Sequence, residues 1–169
     1  MKKILLFTLL GSFLLFFGCN PNQKKPTKFK YYEISNHYRI KLPDDFNKKS
    51  TGFWQTQKDG MKIKNIEIQI KHNNIYNLES AVKVLANRDK RDVNSNKEFI
   101  KNEPFNNNGM KGMISYYKKD HSTGTIPVLT YYVFAVIQDN GNVIEFSSLS
   151  MPVDFQDNMR KSIYSLEKN

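Results

Sequence analysis

The segment 128–138, VLTYYVFAVIQ, constrains the fold more than any other part of the chain. Alternate positions are apolar on both faces of an extended strand: Leu129, Tyr131, Val133, Ala135 and Ile137 on one face, and Val128, Tyr132, Phe134 and Val136 on the other. A half-solvated strand alternates apolar with polar residues, whereas a strand buried on both faces reads as a continuous apolar run. The segment therefore predicts the central strand of a sheet that is covered on both sides.

The remaining elements supply neighbours for this strand. Asp139-Asn-Gly141 predicts a tight hairpin turn, and residues 66–71 alternate isoleucine with polar side chains, as a half-buried strand does. Asn77 and Asp154 are expected to cap helices that carry an apolar stripe. The predicted strands are 38–43, 53–57, 66–71, 97–103, 110–117, 128–138 and 143–150, and the predicted helices are 77–91 and the segment after 154. The order β-β-β-α-β-β-β-β-α indicates one α+β domain over residues 31–169, with helices packed on an antiparallel sheet.

The N-terminus has the pattern of an export signal. A basic start, Met1-Lys-Lys3, precedes the apolar run 4–17. That run is shorter than the ~20 residues that a membrane-spanning helix needs, and its length is typical of the apolar part of a secretory signal peptide. Cys19, the only cysteine in the chain, follows directly after Gly18.

The sequence Phe16-Phe-Gly-Cys19 resembles the lipobox of bacterial lipoproteins. The resemblance implies that residues 1–18 are a signal peptide, that the Cys19 thiol carries a diacylglycerol, and that palmitate or a similar acyl chain anchors the protein. The alternative is an uncleaved anchor in which Cys19 is an ordinary apolar residue. Position 20 is not aspartate and no acidic cluster follows the cysteine, so we expect anchoring to the cell membrane or outer membrane, facing the periplasm.

Residues 19–30 are polar and contain two prolines, which predicts a flexible tether. Lys24, Lys25, Lys28 and Lys30 lie on it. Each lysine near an anionic leaflet contributes ~1 kcal/mol of attraction, but a soluble spacer explains them equally well. The formal net charge is +10, including Lys2 and Lys3 of the signal. Basic residues are scattered over the elements and an exported chain rarely meets nucleic acid, so an anionic membrane or an acidic protein is the more natural partner.

Over residues 29–167 the chain resembles a PsbP-like domain. The segments that carry the resemblance are YRIKLPDDF, NLESAVKVL, GMKGMISYY, VLTYYVFAVIQDNGNVIEFSSLS and DNMRKSIYSLE. The resemblance implies an α/β/α sandwich and a non-enzymatic accessory, binding or envelope role. None of the ligands for the metal-cluster role of the founding members is matched here.

No pattern in the sequence indicates catalysis. His37, His72 and His121 lack the spacing of a metal site, and there is no nucleophile elbow or glycine-rich phosphate loop. Asp44-Asp45 after Pro43 is interpreted as turn capping, with a carboxylate pair for acid–base chemistry or cation binding as the alternative. We therefore predict no catalytic residue, no metal, no cofactor and no enzymatic activity.

Aromatic residues are abundant and several stand in adjacent pairs: Tyr31 and Tyr32, Phe53 and Trp54, Tyr116 and Tyr117, Tyr131 and Tyr132. In a strand, one ring of each pair is expected to point inward and the other outward. Because tyrosine and tryptophan are enriched at binding hot spots, Trp54, Tyr117 and Tyr131 are the candidate partner-binding residues. The alternative is that these rings pack in the core or on the sheet.

The leading hypothesis is a lipid-anchored cell-envelope protein that acts as a non-enzymatic binding or accessory module for an envelope protein or a toxin. The competing hypothesis is a periplasmic small-molecule carrier or hydrolase that uses a cleft of the sheet. A deep pocket holding Asp44, Asp45 or a histidine favours the second hypothesis. A flat, aromatic and basic face favours the first.

Overall fold

The structure is a computed structural model that describes residues 26–58, 61–88, 97–122, 128–150 and 154–169. The predicted signal peptide 1–18, Cys19 and the predicted tether up to residue 25 lie outside the described residues. The elements are β1 Phe29–Ser35, β2 Tyr38–Pro43, β3 Asn47–Ser50, β4 Phe53–Lys58, β5 Met61–His72, α1 Leu78–Arg88, β6 Glu98–Asn107, β7 Met110–Asp120, β8 Leu129–Asp139, β9 Asn142–Ser150, α2 Phe155–Tyr164 and β10 Glu167–Lys168.

Most of the structure is an antiparallel sheet of seven strands in the order β3-β4-β5-β9-β8-β7-β6. β8 pairs with β7 on one side and with β9 on the other. Its Val133, Ala135 and Ile137 belong to one hydrophobic core, and its Phe134 and Val136 belong to a second core. The predicted central strand, apolar on both faces and covered on both faces, is confirmed.

Helix α1 covers one face of the large sheet. Val82 and Ala86 are buried against β7, β8 and β9. The predicted cap is confirmed, because the backbone N–H of Ser80 donates to Asn77 Oδ1 at 2.9 Å. The described helix ends at Arg88, and residues 89–96, the end of the predicted helix included, lie outside the described residues.

The other face of the sheet packs against α2 and a small three-stranded sheet in the order β1-β2-β10. Phe155, Met159 and Ile163 of α2 are buried there. Asp154 stands at the N-cap of α2, but its side chain makes no capping hydrogen bond. The reason is its backbone, which is already helical at φ −75° and ψ −1°, whereas a capping residue is normally extended.

The fold is α+β, as predicted, with two helices and ten strands among the described residues. The predicted strands and helices are present in the predicted order, but the strand 38–43 (β2) lies in the small sheet instead of the large one, and β1, β3 and β10 were not predicted. The four residues of β3 are all exposed, β10 has two residues, and β1 is rich in charged and exposed side chains. Since β1 begins at Phe29, the domain starts two residues before the predicted boundary with the tether.

Two Asn-Gly turns set the register of the long strands. Asn108 and Gly109 between β6 and β7 have φ values of 52° and 77°, and Asn140 and Gly141 between β8 and β9 have φ values of 46° and 80°. Two successive positive φ values define the two-residue hairpin turn whose twist matches the flanking strands. The hairpins therefore bring β6, β7, β8 and β9 together in the central part of the sheet.

Candidate functional site

Trp54 is not a surface residue. Its side chain is fully buried, with 0% exposure, in the core between the large sheet and the small sheet. Its ring lies 5.9 Å from that of Tyr32 on β1, in an edge-to-face arrangement at 73°. The prediction of an outward-facing, partner-binding Trp54 is wrong, because the small sheet that covers it is the part of the fold that the sequence pattern did not predict.

The other two predicted site residues are also packed. Tyr117 is 9% exposed and belongs to the core under α1, whereas Tyr131 is partly buried against the core on the opposite face. Tyr116, the neighbour of Tyr117, is buried as well. The expectation of one inward and one outward ring fails here because both faces of the sheet are covered, and the structure does not bring Trp54, Tyr117 and Tyr131 together.

Apart from Tyr31 and Tyr76, the exposed aromatic side chain lies at the edge strand β6 among the described residues. Phe99 and Ile100 expose 52% and 40% of their surface. Phe99 is paired with Tyr117 of β7, and the two ring centroids are 5.6 Å apart at 71°. Tyr117 therefore supports an exposed ring rather than being one. We call Glu98, Phe99, Ile100, Lys101 and Lys118 the outer-edge patch.

The outer-edge patch has an irregular strand, and its lysines form ion pairs, Lys118 with Glu98 and Lys101 with Glu103. The register shifts between Phe99 and Lys101, so Ile100 sits at a bulge. Lys101 and Lys118 have side chains that are 59% and 38% exposed. No other described strand pairs with the outer side of β6, which leaves part of its backbone hydrogen-bonding groups open to a partner.

A partly buried network fixes β6 on α2. Glu103 of β6 accepts a hydrogen bond from Arg160 Nε at 2.6 Å and bonds from Tyr116 and Tyr164 at 3.2 Å each. Partial burial opposes ionisation of Glu103, but the hydrogen bond and charge of Arg160 outweigh it, so the pKa of Glu103 lies below its ordinary value. Burial and the nearby carboxylate raise the pKa of Tyr116. No sequence signal marks this pair, since Glu103 and Arg160 are 57 residues apart.

A second exposed aromatic group lies on the small sheet. Tyr31 is 48% exposed, with the Arg39 guanidinium 4.8 Å and the Lys41 ammonium 4.6 Å from its ring centroid. Arg39 Nε also contacts Glu167 Oε1 at 2.6 Å. Hydrogen bonds from Tyr31 and Arg39 lower the pKa of Glu167.

Two further lysines lie over aromatic rings of the core between the two sheets. Lys30 Nζ lies 5.1 Å from the centroid of the Tyr32 ring, and Lys48 Nζ of β3 lies 5.9 Å from that of Trp54. Lys30 and Lys48 pair with the buried Leu42 and Trp54, so they lie on the other side of their strands from Tyr31. We call Tyr31, Arg39 and Lys41 the basic face.

A shallow cleft lies near Asp45. Its volume is about 240 Å³, and its lining residues are Thr27, Pro43, Phe46, Lys64, Asp154, Phe155, Asn158 and Met159. Asp45 Oδ2 contacts Lys64 Nζ at 2.7 Å, and Asp44 donates its backbone N–H to the Lys28 carbonyl at 2.9 Å. Asp44 and Asp45 lie in a turn, as predicted, which the bond from the Phe46 N–H to the Pro43 carbonyl closes. The Asp45 side chain contacts a cation, Lys64, instead of capping the turn.

The histidines lie at strand ends and turns. His37, His72 and His121 are all exposed, and His72 lines an open depression of about 300 Å³ with Asn73, Asn74, Tyr76 and Gly141. Within the described ranges, no three histidine, cysteine or acidic side chains are grouped closely enough to hold a metal ion. A helix with the length and apolarity to cross a membrane is likewise absent from these ranges.

The fold places the chain among proteins built like PsbP. The solution structure of cyanobacterial PsbP, CyanoP from Synechocystis sp. PCC 6803, has a TM-score of 0.56 at 14% identity and covers 90% of this chain and 98% of its own. The Ran-binding protein Mog1p of Saccharomyces cerevisiae has a TM-score of 0.57 at 8% identity, with coverages of 83% and 95%. No protein-family model and no curated protein sequence matches the chain. The expected PsbP-like fold is therefore confirmed.

Proposed function

We propose that the protein is a non-enzymatic binding module of the cell envelope, built as a PsbP-like α/β/α sandwich, and that the outer-edge patch is its protein-binding surface. The observation that carries the proposal is Phe99, which is 52% exposed on an open sheet edge and is held in place by Tyr117. A partner strand that pairs with β6 gains backbone hydrogen bonds, and a pocket for Phe99 gives specificity.

The patch has the composition of a binding surface. An exposed aromatic ring, an adjoining Ile100 and flanking lysines combine apolar area with a polar rim. The Glu103–Arg160 contact, 2.6 Å long, ties the same strand to α2 and limits its motion. A surface held in one conformation before binding loses less conformational freedom when the partner arrives.

The structural relatives support a binding role. One similar structure is a Ran-binding protein, and another is a cyanobacterial PsbP. The PsbP-like fold therefore serves protein recognition in at least one relative, and we extend that kind of role to an envelope protein or a toxin as the partner of this chain.

We place the module on the membrane through a diacylglycerol on Cys19, with residues 1–18 removed and residues 19–28 as the tether. The support is the short apolar run 4–17 followed by Gly18 and the single cysteine. Labelled palmitate tests this assignment in cells that express the full chain. Wild-type protein should carry the label and the Cys19→Ser variant should not, and a labelled Cys19→Ser protein would overturn the anchor.

The competing carrier or hydrolase function receives less support from the geometry. The cleft near Asp45 is about 240 Å³, below the range of about 300–1,000 Å³ that is usual for small-molecule sites. The depression lined by His72 is about 300 Å³, at the lower end of that range, and is open to solvent. Asp45 is paired with Lys64 at the surface rather than with a second acid. A ligand bound in this cleft would have to displace or share that cation.

Crosslinking in intact envelopes tests the binding surface. Wild-type protein is compared with Phe99→Ser, which removes the ring from the outer-edge patch, and with Val84→Ser on α1. Val84 is also 52% exposed, so the control removes an apolar side chain of matched exposure. We expect one protein to be recovered with wild type and with Val84→Ser and to be lost with Phe99→Ser.

The recovered protein is then purified and titrated against the same three forms. A fall in affinity of about tenfold or more for Phe99→Ser alone is the expected result, because truncating a central aromatic anchor commonly costs ~2 kcal/mol. Equal affinity of wild type and Phe99→Ser would show that the interface does not lie at Phe99 on β6. Equal loss with Val84→Ser would show a general effect on the fold rather than an interface.

A further inference from the structure

The first half of the edge strand β6 carries a charge pattern that is complementary to its own reverse. Glu98-Phe-Ile-Lys101 has an acid at one end, a base at the other and two apolar residues between them, and all four residues are exposed. No other described strand pairs with the outer side of this segment. Pro104, further along the strand, lacks the backbone N–H that a neighbouring strand would use. The part of the edge that is open to pairing therefore lies before Pro104.

A bulge puts the two charges on the same face of the sheet. In a regular strand Glu98 and Lys101, three residues apart, would point to opposite faces. Here Glu98 pairs with Lys118 of β7, whereas Lys101 pairs with Tyr116, two residues away on that strand, because Ile100 is the extra residue of the bulge. The contacts agree, since Lys118 Nζ lies 3.1 Å from Glu98 Oε1 and Lys101 Nζ lies 4.8 Å from the Tyr116 ring centroid. Glu98 and Lys101 therefore flank the bulge, one step on either side, on the face against which α2 packs.

This arrangement is complementary to itself. A two-fold axis that passes through the bulge, perpendicular to the sheet, places a second β6 antiparallel to the first and keeps the same face of both sheets on the same side. Glu98 then lies opposite Lys101 of the second copy, and Lys101 lies opposite Glu98 of that copy. Phe99 and Ile100 meet their counterparts at the axis. Opposite charges and apolar side chains that face each other across two strands stabilise the pairing, whereas like charges destabilise it.

We infer that two copies of this chain pair through β6, so that a second copy covers the outer-edge patch when no partner is bound. The side chains of Glu98 and Lys101 are 67% and 59% exposed, although they contact Lys118 and Glu103 of their own chain. A carboxylate has two oxygens and an ammonium has three N–H donors, so these contacts leave room for a second ion pair. The interface uses the same patch on both copies, as dimers with two-fold symmetry do.

The paired segment is short, which predicts a weak and reversible dimer. Interfaces that bury less than about 1,200 Å² are commonly transient. Even a transient pairing covers the open backbone groups of an edge strand, which otherwise invite unspecific association. The regulatory part of the inference rests on the proposed function, because one edge cannot bind a second copy and a partner strand at the same time. A partner that binds β6 must therefore separate the dimer.

Charge exchange between two tagged copies tests this pairing. The full chain is expressed in the same cells with two different C-terminal tags, the envelopes are solubilised in mild detergent, and one tag is captured while the other is measured. When Glu98→Lys pairs with itself, the introduced lysine faces Lys101 at both ends of the contact. When Lys101→Glu pairs with itself, the introduced glutamate faces Glu98. Glu98→Lys together with Lys101→Glu restores opposite charges at both ends.

We expect wild type to capture wild type, and each variant to capture itself at least about tenfold less, since two attractive contacts become repulsive. The mixed pair of Glu98→Lys with Lys101→Glu should be recovered at the wild-type level. Misfolding cannot produce this pattern, because the mixed pair consists of the same two variants. Lys83→Glu on α1 and Asp157→Lys on α2 reverse other exposed charges, and each should capture itself as wild type does.

Three results would overturn the inference. Capture of wild type that neither reversal changes would place the contact on another surface. Loss of capture with both variants that the mixed pair does not regain would exclude the contact between Glu98 and Lys101. Purified wild type that sediments as a monomer at concentrations up to about 1 mM would exclude the dimer.

The dimer and the proposed function give separate results. Purified chain shows self-pairing with no other protein present, whereas the binding function is judged by the protein that Phe99→Ser fails to recover. Where both hold, adding the recovered partner should lower the capture of one tagged copy by the other, because both bind β6. Capture that a saturating amount of partner leaves unchanged would overturn the regulatory part.

Discussion

Trp54 and Phe99 are aromatic residues on two strands that lie toward opposite edges of one sheet, and their surroundings are opposite. Trp54 on β4 is fully buried beneath the small sheet, whereas Phe99 on β6 is 52% exposed. Both stand next to polar neighbours in the sequence, and Trp54 has the residue type more often found at binding sites. The difference shows that exposure of a strand residue depends on what covers its face, which the residue and its neighbours do not determine.

Removing the buried Trp54 ring should cause the largest loss of stability among the variants compared here. We expect Trp54→Ala to lower the free energy of unfolding by ~3–5 kcal/mol, as large-to-small changes of buried aromatic residues do, measured by urea denaturation of the full chain. Trp54→Phe is the control. Trp54 Nε1 has no hydrogen-bond partner among the described residues, so its loss leaves no group unpaired and should cost only ~1 kcal/mol. Equal small costs for both variants would contradict the burial of Trp54.

A substitution at Gly52 tests whether the close approach of this residue to β5 requires glycine. Its φ is +73°, and a Cβ atom at this position would lie 2.2 Å from the carbonyl oxygen of Ile68. Ile68 also donates its N–H to the Gly52 carbonyl at 2.7 Å, so the backbone cannot withdraw without losing a hydrogen bond. Gly52→Ala is expected to cost ~2–3 kcal/mol in the free energy of unfolding.

Gly109→Ala distinguishes the two contributions to the cost of Gly52→Ala, which are the left-handed backbone and the steric clash of the added Cβ. Gly109 has φ +77°, but nothing lies within 4 Å of its added Cβ. This variant should therefore show only the left-handed backbone penalty of ~1 kcal/mol. If thermal or urea denaturation gives the same loss for both glycines, the close approach of Gly52 to β5 is not what requires glycine there.

The exposed edge is held by the Glu103 network, which is weaker than the Trp54 core. Glu103→Gln should lower the free energy of unfolding by ~1–2 kcal/mol, since it removes the charge that Arg160, Tyr116 and Tyr164 engage, and Arg160 is half exposed to water. Glu98→Gln on the same strand is the matched control. Glu98 is 67% exposed in its contact with Lys118, so its loss should be within ~0.5 kcal/mol.

The same network predicts a dependence on pH. The pKa of Glu103 is lower in the folded protein than its ordinary value of 4.5. A carboxyl with a lowered folded pKa stabilises the fold at pH values above its unfolded pKa, and this contribution is lost as the pH falls through the folded value. The difference in unfolding free energy between wild type and Glu103→Gln should be constant above pH 4.5 and shrink below it. A difference that grows in acid would contradict the direction of the shift.

The large sheet is largely predictable from the sequence, whereas the small sheet that covers one of its faces is not, for physical reasons. The apolar alternation in β8 and the Asn-Gly turns are local signals, and local signals determine strand identity and hairpin register. The small sheet brings β1 and β2 together with β10, which pairs through Glu167 and Lys168 only. Such a contact joins residues more than 120 positions apart, and its side chains are mostly polar, so no periodic pattern marks it.

The same reasoning explains the candidate site. The tyrosine pair predicts a surface role for Tyr117, and Tyr117 does lie at the outer-edge patch, but as the support beneath Phe99. Phe99 itself stands in a weakly patterned strand with a bulge at Ile100, where alternation fails and the outward face cannot be predicted. The basic face was missed because Tyr31, Arg39 and Lys41 come from two strands whose pairing depends on the overlooked β1.

Of the two aromatic residues, Phe99 should contribute less to stability than Trp54. Phe99→Ser should lower the free energy of unfolding by only ~0.5–1 kcal/mol, because half of the ring is already in water and its main loss is the edge-to-face contact with Tyr117. Its effect on partner affinity should be larger, about tenfold or more. A variant that unfolds as easily as Trp54→Ala would show that Phe99 is a core residue. A variant that keeps both stability and affinity would leave the ring without a role at the edge. Only a small loss of stability together with a large loss of binding fits an exposed anchor, which is the property that distinguishes Phe99 from Trp54.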